Sequence, residues 1–488
     1  MADQGLRRLH PATVLLEIPT TILKWLWPIV AVGFLFGGGS SSSNLAEWAM
    51  LGIGLGAVGT LFKYFTLRYG IQGDRLVLRV GLIWSVDRTI PLAKIQNVDL
   101  ASGPIQRLFR VTTITIETAG GDETEASLSV VSETVAERFR NDLLEGRGDA
   151  PGPLTRAEGD LIRRLTIQEL LLAGATENRV GVIVVALFGL VELFGEGRLD
   201  LMTPIEVSLE RLAGIGAWAT GVLIAGAVVA FIGAGWILSI FLTAMKYHAF
   251  EIRRSGEGVR RRHGLLSKYE SLVRRDRLQV FLVEANLLRR LIGFVTLKVQ
   301  TAGAGDEGGT ASNVFFPLLP RAESDGLVRL VFPNADFDLA SLRPVHPLAA
   351  RRIFLRLSLL SSLLTGAVFL FSEDLRALAI APVGIALAWI LRGPQYRALK
   401  WNLTDAYVIA RAGLVTRRLW IVPRRRIQTV SLHQTPFQRR LGLATVEVQT
   451  AGTASWSNAR IVDLGENDAR EVFDTLAASA ATLGAAAV

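Results

Sequence analysis

Gly81-Leu82 … Gln96 … Thr118-Ala119-Gly120 is a pattern that recurs twice, as Gly264-Leu265 … Gln279 … Thr301-Ala302-Gly303 and as Gly413-Leu414 … Gln428 … Thr450-Ala451-Gly452. In each copy the glutamine follows the first glycine by 15 residues, and the last glycine follows the glutamine by 24. A spacing kept without gaps indicates one supersecondary unit present three times. The structural repeat residues are therefore Gly81, Gln96, Gly120, Gly264, Gln279, Gly303, Gly413, Gln428 and Gly452.

The composition lies between that of a soluble protein and that of an all-membrane protein. Of 488 residues, 50% are hydrophobic and 20% are charged, and the mean hydropathy is +0.36. Membrane spans that alternate with soluble modules account for both values. The chain has no cysteine, which excludes disulfides, thiolate nucleophiles and Cys-based metal sites. The net charge of +9 suits a surface that faces anionic lipid.

Six apolar runs have the composition of membrane spans. About 20 helical residues cross the hydrocarbon of a bilayer, so two neighbouring runs predict a transmembrane hairpin. The fourth run is long, but no polar turn divides it, which favours one tilted helix over two. For the first run the alternative is a cleaved signal peptide, although a clear small-x-small cleavage site is missing. The three pairs of runs are residues 19–36 and 45–65, 180–194 and 212–245, and 353–371 and 375–391.

The segments after the hairpins have strand patterns. Leu76, Leu78 and Val80 alternate with polar neighbours, as do Ile114 and Ile116, which is typical of half-buried strands. Helical spacing closes each module, and Leu161–Leu172 is predicted to be an amphipathic helix against the membrane. The predicted domains are residues 1–65 (N-terminal segment and hairpin 1), 66–148 (module 1), 149–245 (linker, interfacial helix and hairpin 2), 246–332 (module 2), 333–392 (linker and hairpin 3) and 393–488 (module 3 and tail).

Three hairpins place all three modules on one side of the membrane. The candidate outer connectors at residues 37–44 and 372–374 contain no lysine or arginine, whereas the modules and their flanks contain most of these residues. By the positive-inside rule we expect the modules to face the cytoplasm and the protein to lie in a bacterial plasma membrane.

The repeat resembles a known family. In the first copy the resemblance rests on Ile90 to Val98, Pro104 to Phe109 and Ile116 to Gly120, and in the third on Val422 to Val430, Pro436 to Leu443 and Val448 to Gly452. These segments resemble the bacterial pleckstrin-homology-like (bPH2) domain of the YdbS/YdbT membrane proteins. The second copy departs, with Leu287 in place of proline and Arg289 in place of glutamine. The resemblance implies an α-helical membrane protein with six spans, in which each hairpin precedes a bent antiparallel sheet closed by a helix.

The repeated glutamine has two interpretations. It could contact a ligand, but we favour a structural role, in which the amide satisfies backbone groups at a strand irregularity. The apolar phase supports a break, because Val98 and Leu100 share one face of the strand whereas Ile95 falls on the other. The glycines of the Thr-Ala-Gly triplets are predicted to be turn residues with positive φ.

Arginine clusters are the candidate binding residues. Contact with lipid headgroups is one interpretation, since each basic residue near an anionic surface contributes ~1 kcal/mol. The other interpretation is a solvated strand face beside the membrane. Specific inositide recognition is not implied, because the first module has only the scattered Arg79, Arg88 and Lys94. The candidates are Arg260, Arg261, Arg262, Arg274, Arg275, Arg277, Arg417, Arg418, Arg424, Arg425 and Arg426.

Other chemistries have little support in the sequence. The five histidines show no metal-ligand spacing, and His10-Pro11 and His346-Pro347 suggest a repeated entry turn. No nucleophile motif, phosphate loop or interleaving of aromatic residues with arginine is present. We therefore expect no enzyme activity, no cofactor, no metal and no nucleic acid.

The function expected from the sequence is that of a scaffold or regulator. Its modules would bind a protein partner, such as a paralogue with a single module, and anionic lipid as a second ligand. The alternative is a lipid or small-molecule transporter built on the six-helix bundle. Lys24 and Glu192 are ionisable residues inside the spans, and both lie near span ends, which gives transport little support.

Overall fold

The computed structural model describes residues 60–139, 159–177, 217–332 and 341–485 with short gaps, and a few positions before residue 60. The gaps are at 63, 81–85, 93–94, 119–125, 137, 256–257, 302–312, 373 and 452–457. The predicted spans at 19–36 and 180–194, most of the span at 45–65, and Gly81, Gly120, Gly303 and Gly452 lie outside the described residues.

The first module contains seven strands and one five-residue helix, and residues 133–136 and 138–139 are also helical. The strands and the helix are β1 (Arg7–Arg8), β2 (Arg68–Gln72), β3 (Arg75–Val80), β4 (Val86–Pro91), β5 (Ile95–Ser102), α1 (Pro104–Leu108), β6 (Val111–Thr118) and β7 (Ala126–Ser132).

The second module repeats this order after a long apolar helix. Its elements are β8 (Leu161–Arg164), α2 (Ile167–Thr176), α3 (Ala217–Tyr247), β9 (Glu251–Ser255), β10 (Gly258–His263), β11 (Lys268–Arg274), β12 (Leu278–Ala285), α4 (Leu287–Leu291), β13 (Phe294–Thr301), β14 (Val314–Pro320) and α5 (Arg321–Val331).

The third module follows a helical hairpin and ends in a 20-residue helix. Its elements are β15 (Arg343–Pro344), α6 (Leu348–Ser372), α7 (Ile380–Ala398), β16 (Lys400–Leu403), β17 (Tyr407–Ala412), β18 (Arg417–Pro423), β19 (Ile427–His433), α8 (Pro436–Arg440), β20 (Leu443–Thr450), β21 (Ala459–Gly465) and α9 (Glu466–Ala485).

The helix predicted over Leu161–Leu172 is wrong in its first half. Residues Leu161–Arg164 form β8, which pairs with β9, and the helix begins only at Ile167. Thr166 and Glu169 explain the start. The Thr166 hydroxyl accepts from the Glu169 amide at 3.3 Å, and the Glu169 carboxylate accepts from the Thr166 amide at 3.0 Å. This capping box satisfies two of the free amides of the first turn.

The sheets do not follow the module boundaries. The second half of one module and the first half of the next form one sheet, in the order β7-β6-β5-β11-β10-β9-β8 at the first junction and β14-β13-β12-β18-β17-β16-β15 at the second. The remaining halves form the sheets β1-β2-β3-β4 and β19-β20-β21. The predicted N-terminal segment supplies the short strand β1, and the two segments predicted to contain linkers supply β8 and β15.

The shared sheets give the modules shared hydrophobic cores. Phe281 of β12 packs with the core of the second module, which also contains Ile409 and Ile421 of the third. Val280 and Leu282 of the same strand pack into the core of the third module. β12 is therefore buried on both faces, and neither module completes its core alone.

Two described helices are long and apolar enough to cross a membrane, Leu348–Ser372 and Leu375–Ala398. Only 11% of the apolar window in each is buried inside the protein, so these are not core helices. They form the hairpin predicted over 353–371 and 375–391. The run predicted as one tilted helix is α3, which has 31 residues and an apolar segment at Ile232–Tyr247.

The repeated Gly-Leu pair forms a tight turn that requires glycine. Gly264 and Gly413 have φ values of +111° and +99°, which side chains rarely adopt. A Cβ on Gly413 would overlap the carbonyl oxygen of Thr416, and one on Gly264 would overlap that of Ser267. The turn connects β10 to β11 in the second module and β17 to β18 in the third.

We expect Gly413→Ala to destabilise the third module by more than about 1 kcal/mol, because alanine is strained in this conformation. The measurement is the thermal unfolding midpoint of the full-length protein in detergent. Gly326→Ala is the control, since Gly326 lies in α5 with open space around its Cα. The control should raise the midpoint slightly, and equal midpoints for the two variants would contradict the assignment.

His263 predicts a pH dependence of stability. Burial lowers the pKa of His263 to about 4, against an opposing hydrogen bond to the Lys246 carbonyl. The pKa of His263 in the folded state lies below its value of about 6.5 in the unfolded state. The contribution of neutral His263 to the free energy of unfolding is therefore complete above pH 6.5 and falls as the pH drops toward 4. We expect a loss of about 2 kcal/mol between pH 7 and pH 5. Chemical denaturation at both pH values should show it, and His263→Phe should lose less than the wild type.

Candidate functional site

The two junctions between modules have the same backbone register. At the first, Lys268, Tyr269 and Glu270 of β11 lie opposite Ser102, Ala101 and Leu100 of β5. At the second, Arg417, Arg418 and Leu419 of β18 lie opposite Ala285, Glu284 and Val283 of β12. These are equivalent positions of the repeat, counted from Gln96, Gln279 and Gln428. The chain therefore builds one type of interface twice.

An arginine closes each junction. Arg107 follows Gln96 by eleven residues, and its Nη1 donates to the Leu265 carbonyl of the next module at 2.5 Å. Arg290 follows Gln279 by eleven residues and donates to the Leu414 carbonyl at 2.7 Å. The acceptors belong to the Gly-Leu turns. Two features of the repeat, the arginine and the turn, thus meet across the boundary between modules.

The repeated glutamine marks a β-bulge. The register shifts between Ile95 and Asn97, between Leu278 and Val280, and between Ile427 and Thr429. The strand irregularity predicted from the apolar phase is therefore present in all three copies. Gln279 is 4% exposed and its amide nitrogen lies 3.4 Å from the Arg277 carbonyl oxygen, whereas Gln428 is exposed. The backbone position, and not one fixed side-chain contact, is what the copies share.

The second copy has Arg289 at the position where the other two copies have glutamine. In the other copies, Gln106 and Gln438 donate to Thr113 and Thr445 at 3.1 and 2.8 Å. Arg289 contacts the equivalent Thr296 and also reaches α2, where its Nε donates to the Thr176 hydroxyl at 2.9 Å. Burial lowers the pKa of Arg289, against the attraction of Glu177 and Glu284. Arginine in place of glutamine at this position therefore connects α2 to the second module.

The cluster Arg260, Arg261 and Arg262 is divided between the two faces of β10. Arg261 is buried and donates to the Val314 carbonyl at 2.6 Å and to the Ser271 hydroxyl at 2.8 and 3.1 Å. Arg260 lies 3.5 Å from Glu270. Arg262 is exposed. The geometry gives Arg261 a structural role and leaves Arg262 accessible.

Two other clusters meet at the second junction. Arg426 donates to the Asp276 carbonyl, which connects the short 3-10 turn Arg424–Arg426 to Arg275–Arg277 of the second module. Arg274 donates to the Asp276 carboxylate at 3.2 Å, and Arg277 lies 4.0 Å from it. Arg424 donates to the Ser479 hydroxyl at 2.5 Å. Arg425 is the exposed member of the third-module cluster.

Four arginines approach one another beside the membrane hairpin. Arg411 donates to the Arg397 and Ala398 carbonyls at the end of α7, at 2.9 and 3.2 Å. Burial, together with the charges of Arg417, Arg321 and Arg290, lowers the pKa of Arg411 to about 10. Burial also lowers the pKa of Arg417, with contributions from Arg290 and Arg321. We call Arg290, Arg321, Arg411 and Arg417 the arginine cluster.

The arginine cluster has the electrostatics of an anion site. Nε of Arg417 is buried without a hydrogen-bond partner in the described part of the chain. Arg321 is the first residue of α5, where the helix N-terminus adds partial positive charge. The adjacent turn exposes Val415 by 67%. An apolar turn and a cationic cluster at the end of an apolar helix are suited to a lipid headgroup region.

Sequence reasoning identified only Arg417 of this cluster. Arg290 and Arg107 had a detectable signal, their constant distance from the repeated glutamine. No sequence signal identified Arg321 and Arg411, because they come together only through pairing between strands that are distant in the sequence. Arg418, the other residue of the predicted pair, is held by Glu284 at 3.0 Å.

His10 and His346 confirm the repeated entry turn. Their Nδ1 atoms accept from the amides of Ala12 and Leu348, at 3.2 and 3.3 Å. Among the described residues, no three His, Cys, Asp or Glu side chains are grouped as metal ligands.

Comparisons with known proteins agree with this architecture. The bacterial PH domain family model (bPH_2) matches residues 16–147, 204–333 and 353–480. The chain belongs to this family. It is also 25% identical to the UPF0699 transmembrane protein YdbT of Bacillus subtilis (strain 168), over 95% of this chain and 96% of that protein. With its apolar hairpin, the chain is a membrane protein with three bacterial PH domains.

We expect Arg107→Ala to loosen the first junction by about 1 kcal/mol, the typical contribution of one hydrogen bond. Hydrogen exchange of the full-length protein should then be roughly fivefold faster in β5 and β11. Arg138→Ala is the matched control, because Arg138 is an exposed arginine of the same module. Equal exchange rates in the two variants would show that Arg107 does not stabilise the first junction.

Proposed function

We propose that this protein is an integral membrane scaffold whose modules form one rigid array and bind anionic lipid headgroups and protein partners. The arginine cluster at the end of α7 carries the proposal. We propose a non-catalytic role.

The proposed topology has six spans in three hairpins, with every module on the cytoplasmic side. Its support is the repeated order of hairpin and module, together with outer connectors that contain few basic residues, namely Arg198 and Arg211 in the second and none in the first and third. The shared sheets add a physical constraint, because modules that share a sheet must lie on the same side of the membrane. Reporter fusions that place two modules on opposite sides would contradict the topology.

The lipid ligand is proposed from charge and position. Arg411 is hydrogen-bonded to the last carbonyls of α7, so the cluster lies where the chain leaves the apolar hairpin. Exposed basic residues at this depth attract anionic headgroups, and the guanidinium groups suit a phosphate geometrically. We favour the arginine cluster over Arg424 and Arg426 as the lipid site because Arg411 places the cluster at the end of α7.

We expect the double variant Arg321→Glu with Arg417→Glu to retain at least tenfold less phosphatidylglycerol, because four units of charge change at the site. Native mass spectrometry of the full-length protein, released from detergent with phosphatidylglycerol added, measures the retained lipid. The matched control is Arg329→Glu with Arg470→Glu, two exposed helix residues. Equal retention in the two double variants would refute the site.

The transporter alternative is weaker at the described hairpin. The groove between α6 and α7 is lined almost entirely by aliphatic side chains, with Ser361 as its polar member. Gly384 lies against Ser361 so closely that a Cβ would overlap the hydroxyl. Close packing around a small residue is typical of a static helix contact. A polar cavity between the hairpins in an experimental structure would favour transport.

A further inference from the structure

Strand β19 occupies the same position in the repeat as β5 and β12. Each begins at the isoleucine or leucine before the repeated glutamine and contains the bulge. β5 and β12 each pair on their outer edge with a strand of the following module, β11 and β18. Among the described strands, β19 pairs only with β20.

The equivalent strands β12 and β19 differ in how much of each is buried. In β12 the first five residues are buried, whereas in β19 only Ile427 is buried in the whole strand. Val280 is 0% exposed, but the equivalent Thr429 is exposed. The edge that the next module covers at β12 pairs with no described strand at β19, and α9 packs against β19. A bare edge presents a row of backbone donors and acceptors for a further strand.

Strand β4 is the complementary edge. It corresponds to β11 and β18, because each of the three follows the Gly-Leu turn position of the repeat. β11 and β18 each pair on both sides, once within the module and once with the preceding module. β4 pairs with β3 and with no other described strand.

Arg439 is the third member of the junction arginines. It follows Gln428 by eleven residues, as Arg107 follows Gln96 and Arg290 follows Gln279. Arg107 and Arg290 donate to a turn carbonyl of the next module, and Arg439 is exposed, as Arg107 is. The short helix α8 has the same position and length as α1 and α4. The third module therefore carries both parts of a junction, the strand and the arginine.

We propose that β19 binds the β4 edge of a second copy of this chain and builds a third junction between molecules. The repeated register predicts the pairing. It places Ser431 opposite Arg88 and His433 opposite Val86, the equivalents of Leu282 opposite Trp420 and Glu284 opposite Arg418. Arg439 then occupies the position from which Arg107 and Arg290 donate to the next module.

A second copy fits this surface because both halves of the junction belong to the same chain. The contact joins two different surfaces, so it is heterologous and leads to a closed ring or an open row. The two internal junctions already connect modules that are attached to one membrane, and a third junction of the same geometry keeps this arrangement. The proposal rests on the membrane topology given above and is independent of the lipid site.

Cysteine cross-linking of the full-length protein tests the pairing, because the natural chain has no cysteine. Membranes are prepared from cells that express Ser431→Cys and Arg88→Cys variants with different tags. Directly opposed residues lie within the distance that a disulfide spans. On mild oxidation we expect a disulfide that carries both tags, at least tenfold above the control pair. No excess over the control would overturn the proposal.

The control pair combines Arg88→Cys with Arg460→Cys. Arg460 is an exposed residue of β21, the opposite edge of the sheet that contains β19. This pair reports random collisions in the same membrane. A Ser431→Cys product with a different protein, in place of the Arg88→Cys copy, would also overturn the proposal and would assign the edge to a separate partner.

The arginine provides a second test on the same cross-link. We expect Arg439→Ala in the Ser431→Cys variant to reduce the yield about tenfold, the loss for one charge-assisted hydrogen bond. Arg440→Ala is the matched control, since Arg440 is the next residue of α8, is exposed and has the same charge. An equal effect of the two substitutions would contradict the role of Arg439. Loss of lipid binding alone leaves both results unchanged.

Discussion

Strand pairing across module boundaries is the interaction on which the rest of this structure depends. An edge strand leaves one row of backbone N–H and C=O groups without partners, and a buried edge of this kind is costly. Each module divides its strands between two sheets, so each has two such edges. The chain satisfies one edge of a module with the next module, as β5 does with β11 and β12 with β18. Folding of the array is therefore coupled from module to module.

This coupling explains why β12 is apolar on both faces. Phe281 packs into the core of the second module, and Val280 and Leu282 pack into the core of the third. A strand with one solvated face would alternate apolar and polar residues. The equivalent strands β5 and β19 read Gln96, Asn97, Val98, Asp99 and Gln428, Thr429, Val430, Ser431, so the continuous apolar run Val280 to Val283 is particular to the second module, which contributes this strand to two cores.

The sequence predicted those features that depend on local chemistry. Gln279 marks a bulge, and the closing helix Arg321–Val331 follows the helical spacing of its apolar residues. The positive φ of Gly413 was found only in the structure. The sequence did not predict the shared sheets, because periodicity identifies a strand but not its partner. The two-residue strands β1 and β15 are too short for any period. β8 was mistaken for helix because Leu161, Ile162 and Leu165 also fit helical spacing, and pairing with β9 decided the outcome.

The arginines show how the same nonlocal pairing makes a site. Arg417 and Arg418 are neighbours in β18, but their side chains point to opposite faces of the sheet. Arg418 forms an ion pair with Glu284 at 3.0 Å, whereas Arg417 lies near Arg290 and Arg321. A count of basic residues in the sequence does not distinguish Arg417 from Arg418. Only the register distinguishes a charge that holds two modules together from a charge that remains available to an anion. The strand pairing thus places Arg418 in an ion pair across the junction and Arg417 beside Arg290, which itself donates across the junction.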